Sequence, residues 1–119
     1  MRLYVLAMKR QFSIRLYELL KSYEYRHGHT FDIDDLRVKL SAQNYDRFPD
    51  FRRFVLDKAI SEINELSDII VSYAIEKKGK RFAKVSFTIK TKENISERIH
   101  TWVTIEDKLD GPRDGDPRL

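Results

Sequence analysis

The period of the apolar residues changes at residue 68. Before it they recur about every 3.6 residues; after it they recur every second one. A helix buries positions three and four apart, whereas a strand sends successive side chains to opposite faces. The chain therefore has to supply helices first and strands second, which makes it an α+β fold. Ile69, Val71 and Tyr73 alternate with Ile70, Ser72 and Ala74. After "EKKGKR", Val85, Phe87 and Ile89 alternate with Lys84, Ser86, Thr88 and Lys90. A turn around Gly79 joins the two runs into a β-hairpin.

Upstream, residues 3–26 read as helix, with a break near Gln11–Ser13 where Ser13 can cap the second piece and Gly28 as the stop. "HTFDI" makes a short strand. "DIDDLRVKLS" is a short helix, with Asp32 or Asp34 as N-cap and Ile33, Leu36 and Leu40 as its apolar face. "AQNYDRF" is a polar turn. A third helix spans residues 49–66, opened by Pro49, whose missing N–H costs nothing there. Helix, short strand, helix, turn, helix, hairpin is the order of a winged helix-turn-helix: three helices, a short strand and a β-hairpin wing. Residues 1–91 form that domain. Residues 92–119 form a C-terminal extension. In it "RIHTWVTIE" has strand-like composition, Trp102 and Ile105 pack on the body, and "DGPRDGDPRL" is disordered.

One core is feasible in 119 residues without staples. Cysteine is absent, which excludes a disulfide framework and thiolate metal sites and fits a cytoplasmic protein. No apolar run approaches the roughly 18 residues of a membrane span. The formal charge is +4, and residues 105–119 alone carry −2, which leaves +6 on residues 1–104. A basic body with an acidic tail implies a polyanionic partner.

On the third helix, Phe51, Val55, Leu56, Ala59, Ile60, Ile63 and Leu66 share half the circumference. Arg52 breaks this face by falling inside it, a costly place for a charge unless the first turn protrudes from the body. Protruding N-terminal residues are what a recognition helix needs to reach base edges. Arginine suits either job there, pairing with guanine O6 and N7 or gripping a phosphate. Arg52 and Arg53 are equally readable as solvated charges or as partners of Asp50 and Asp57. The hairpin tip bears on this choice. Residues 76–84 hold five bases (Lys77, Lys78, Lys80, Arg81 and Lys84) and one acid. Such a tip repels itself unless a polyanion neutralises it, although it also serves to block edge pairing.

"HGH", His27 to His29, pairs two histidines as a metal-dependent nicking enzyme would, with Tyr17, Tyr23 or Tyr25 as a nucleophile. The pair brackets a glycine in a predicted turn and lacks a third nearby ligand, so the expectation is no enzyme and no metal. Without a Gly-rich phosphate loop no cofactor is expected. The aromatic set Tyr4, Phe12, Tyr17, Tyr23 and Phe31 reads as core rather than as stacking platforms for single strands.

"FSIRLYELLKSY", "NYDRFPDFRRFVLDKAISEIN" and "VSYAIEKKGKRFAKVSFTIK" resemble consecutive blocks of the plasmid replication initiators, the iteron-binding Rep family, in content and in spacing. The similarity runs from about residue 12 to residue 90 and points to the second, C-terminal winged helix of those proteins. The resemblance implies specific binding to double-stranded DNA at plasmid origin repeats. Arg52 and Arg53 would read bases or phosphates, with Arg47 as a neighbouring phosphate contact and Asp50 and Lys58 on the same helix. Lys77, Lys78, Lys80, Arg81 and Lys84 would form the wing contacts. It also implies a longer initiator, host initiator and helicase as partners, and homodimerisation through a first winged helix that this chain lacks. A transcriptional repressor and a protein-interaction winged helix are the alternatives on the same fold.

Overall fold

The computed structural model describes residues 8, 10–93 and 95–110, and the side chains of residues 95–98 and 110 are outside that description. Helix α1 spans Gln11–Lys21 and a 3-10 turn Glu24–Arg26 follows. Strand β1 is Gly28–Asp32 and helix α2 is Ile33–Lys39. Helix α3 is continuous but composite: Phe48–Phe51, a π-helical turn Arg52–Leu56, then Asp57–Leu66. Strands β2 (Ile69–Lys78) and β3 (Arg81–Thr91) form the hairpin, and helix α4 is Ile95–Asp110.

The three strands make one antiparallel sheet in the order β1-β3-β2. Its inner face carries Phe31, Ile69, Val71, Val85, Phe87 and Ile89, which bury against Leu16 and Leu20 of α1 and Ile63 and Leu66 of α3. Alternation at period 2 sends Ser72, Ala74, Lys84 and Thr88 to the outer face. Gly79 takes the positive φ that the two-residue hairpin turn requires. Gly28 sits where a Cβ would meet the Phe87 carbonyl oxygen at 2.2 Å, so β1 lies against β3 at a distance only glycine allows. The α+β class and the element order thus match expectation, and the arrangement is consistent with a winged helix.

Four expectations need correction. Helix α1 ends at Lys21, not at residue 26, and Ser22 turns its Oγ back onto the Leu19 carbonyl there. Ser13 lies inside α1 and is buried rather than capping it. The segment with strand-like composition at 98–106 is helical. It forms part of α4, so the described residues hold one more helix than the three expected. Thr101 and Ile105, one helical turn apart, are both buried there, and Lys92 donates to Thr101 Oγ1 and to the Asn64 carbonyl at the end of α3. Trp102 is 43% exposed. The disorder expected from residue 110 is contradicted at Asp110, which ends α4; residues 111–119 and the helix expected at 3–7 lie outside the described residues.

The fourth correction concerns α3. Its first turn does not protrude: Phe48 and Phe51 are buried. The charge of Arg52 is accommodated in another way. At a uniform turn of about 100° per residue, Arg52 falls at the middle of the apolar arc and Phe51 at its edge. The Asp57 N–H instead donates to the Arg52 carbonyl five residues back. Such a turn takes in one extra residue and rotates what precedes it by up to about 100°. Phe51 thereby enters the core and Arg52 moves to its border, where it is exposed.

Candidate nucleic-acid interface

The start of α3 is fixed by Arg47 in extended conformation at the N-cap position and Pro49 in the first turn. Phe48, just inside the helix, stacks on Phe82 of β3 with ring centroids 4.5 Å apart. Lys77 of β2 lies over the same Phe82 ring at 4.5 Å. Four residues into α3, the Arg52 Nε donates to the Tyr73 hydroxyl of β2 at 2.9 Å, with its guanidinium 5.6 Å from the ring centre. Tyr73 in turn donates to Asp57 Oδ1 at 2.6 Å. The mouth of the helix and the hairpin therefore share one side of the molecule.

Burial pushes the Tyr73 phenol pKa up, the hydrogen bond to Asp57 adds to that, and Arg52 opposes it. The hydroxyl stays protonated and serves both neighbours. Arg53 is also exposed, its guanidinium 5.3 Å over the ring of the half-exposed Phe54. Arg47 and Lys58 are exposed, and Asp50 is half-buried in the first turn.

Lys77, Lys78, Lys80 and Arg81 all sit at the exposed hairpin tip. A bulge between Glu76 and Lys77 shifts the register there, so that Lys77 faces Phe82 while Glu76 faces Lys84. Among the described residues, no carboxylate forms an ion pair with Arg47, Arg52, Arg53, Lys58, Lys77, Lys78, Lys80 or Lys84. The pairing of Arg52 or Arg53 with Asp50 or Asp57 that the sequence allowed does not occur directly. Arg81 has a contact with Asp34 at 3.5 Å, both side chains being largely exposed. An exposed pair of this kind contributes little and yields readily to a phosphate.

Lys84 is not brought to this side. It pairs across the sheet with Asp32 and Glu76, on the face opposite the buried Val85 and Phe87. Two acids opposite one lysine leave that face without positive excess.

Sequence reasoning missed the residues that hold the site together. Tyr73 was visible only as an inward position of a period-2 strand. Arg37 was not singled out at all. It donates from Nε to the Tyr45 carbonyl and pairs with Asp34 at 2.7 Å, which braces the turn that leads into α3. The histidines of "HGH" separate by role: His29 stacks on Tyr23 at 4.0 Å and His27 takes a left-handed backbone conformation. Among the described residues, no group of three His, Asp or Glu side chains is placed to hold a metal ion. No described helix is long and apolar enough to cross a membrane.

A family model described as "Initiator Rep protein, WH2" matches residues 32–89. Over that region, the chain is similar to the initiator Rep protein family. The matched region begins at the end of β1 and runs through α2, α3 and nearly all of the hairpin, so it contains every residue of the basic side just described. The PI protein of Escherichia coli is 30% identical over 98 residues, which cover 69% of this chain and 32% of that relative. The chain thus spans about a third of the length of this curated relative. The Rep winged helix is a DNA-binding unit of plasmid replication initiators, and α1 and α4 lie outside the region that its family model matches.

Proposed function

We propose that the chain binds duplex DNA sequence-specifically at repeated sites of a plasmid origin, and that this binding serves the initiation of replication. Helix α3 enters the major groove, with Arg53 and Arg52 toward base edges and Lys58 and Arg47 toward flanking phosphates. Lys77, Lys78, Lys80 and Arg81 lie along the adjacent backbone. The observation that carries this reading is the Phe48–Phe82 stack, which holds two sets of cations on one side of the molecule, with Arg81 alone among them contacting a carboxylate among the described residues. Helix N-termini and arginine forks suit the groove, while a lysine-rich loop suits the phosphates. The role is binding rather than catalysis. Origin melting and the recruitment of host initiator and helicase follow from the family resemblance, as does dimerisation through a further domain.

The test is a selection of random duplexes by the purified chain at near-physiological salt. A short enriched consensus supports the reading, and tandem copies of it beside the gene mark an origin rather than an operator. No enrichment, with equal affinity for all duplexes, would refute sequence-specific binding.

A further inference from the structure

Arg52 is held in an unusual way for an exposed arginine. Its Nε is engaged by the Tyr73 hydroxyl at 2.9 Å, and that hydroxyl is oriented by Asp57 at 2.6 Å. A guanidinium offers five N–H donors in a rigid fork. Tyr73 uses the one on Nε. The four on the two terminal nitrogens face no carboxylate among the described residues.

The hydroxyl is not needed to dock α3 on the sheet, because Asn64 already does so. Its amide accepts from the Val71 N–H at 2.7 Å and donates to the Val71 carbonyl at 3.0 Å, as a neighbouring strand would. Nor is the hydroxyl needed to fill space, since the Tyr73 ring packs beside Phe87.

Resting on the DNA-binding reading above, we propose that Tyr73 is a positioning residue for Arg52. It locks the guanidinium by its Nε so that the two terminal nitrogens present end-on to a pair of acceptor atoms on the duplex. Asp57 supports this by accepting a hydrogen bond from the phenol, which makes the phenol oxygen a stronger acceptor for Nε. The π turn is part of the device, because it brings Arg52 to the border that faces Tyr73. Without the hydroxyl, Arg52 would sample many rotamers and lose that freedom on binding. The acceptor pair is either O6 and N7 of a guanine or two oxygens of one phosphate; both offer the spacing of the fork.

The experiment uses the full chain, its selected consensus duplex and a scrambled duplex over a range of salt. Tyr73→Phe should weaken consensus binding roughly tenfold, the effect of one hydrogen bond to a charged group. In an Arg52→Ala background it should add nothing, because the two act as one unit. Asp57→Asn should shift binding in the same direction by less, and provides an independent reading should Tyr73→Phe fold poorly. Arg52→Lys should not rescue Arg52→Ala, since an ammonium has no fork.

If 7-deazaguanine at one position abolishes the effect of Arg52→Ala, the acceptor is guanine. If both duplexes weaken alike and the salt dependence flattens, it is phosphate. Additive losses for Tyr73→Phe and Arg52→Ala, or unchanged binding by Tyr73→Phe, would overturn the proposal while leaving the wild-type interface standing. Failure of the wild type to select any duplex would remove both.

Discussion

Arg52 and Arg53 are adjacent in sequence but differ in surroundings. Among the described residues, Arg53 is tethered only by an aromatic ring at 5.3 Å, which leaves its guanidinium able to turn to a base edge. Arg53→Ala is expected to cost about 1–3 kcal/mol of specific binding while sparing much of the nonspecific binding, which competition against scrambled duplex measures. Lys92 is a residue of another kind. It is buried, and its ammonium joins the end of α3 to α4 through the Asn64 carbonyl and Thr101. Lys92→Met should lower stability by about 1–3 kcal/mol in urea denaturation, because two polar groups lose their donor in a dry setting.

Two titrating side chains contribute to stability at alkaline pH. At Lys21, burial works against the charge, but hydrogen bonds to Glu24 and Asp68 and their negative charges outweigh it, and the pKa rises above 10.5. The Tyr73 phenol is likewise pushed above 10.0. A raised folded pKa means that the native state holds its proton longer than the unfolded chain does. The stabilisation is then complete below the ordinary values and lost as pH climbs through the folded ones. Urea midpoints should therefore be level from pH 8 to about 10 and fall above it, and Tyr73→Phe should remove its share of the fall.

Single elements carry local constraints that explain their sequences. β1 can lie against β3 only because residue 28 lacks a side chain. Gly28→Ala meets both a backbone oxygen and a positive φ, and should destabilise the fold by at least about 1 kcal/mol, read as a lower melting temperature. The hairpin separates labour along its length. Near α3 it holds the helix through Phe82 and meets Arg52 through Tyr73, and at its tip it offers cations. Lys78→Ala combined with Lys80→Ala should weaken all duplexes alike. The slope of log affinity against log salt should become shallower by about 2, one for each phosphate that is no longer neutralised. If this pair and Arg53→Ala affect specific and nonspecific binding equally, the division between helix and hairpin is wrong.

At the scale of the molecule, charge is distributed by face. The α3 mouth and the hairpin tip present cations on one side, whereas Lys84 on the outer sheet face is offset by Asp32 and Glu76. Association with DNA should accordingly be steered and slow down as ionic strength rises, while Lys84→Ala should change affinity far less than loss of Lys78 or Lys80. Stopped-flow association rates over a salt series test both.

Patterns with an unambiguous period were legible without any structure. The hairpin with its glycine turn and the apolar faces of α2 and α3 follow from spacing alone, because each buries one side and needs no distant partner to declare which. The basic tip was equally plain, since five bases in nine residues cannot be core. Tertiary contacts decided the rest. "RIHTWVTIE" is rich in β-branched residues and reads as strand, yet it is helical because that shape lays Thr101 and Ile105 on the body together. Propensity differs by tenths of a kcal/mol per residue, and burial outweighs it. The place of Arg52 was likewise undecidable in one dimension. Only the docking of α3 on the hairpin shows that a π turn sets Phe51 inward and leaves the arginine at the border, with a tyrosine from a different strand to hold it.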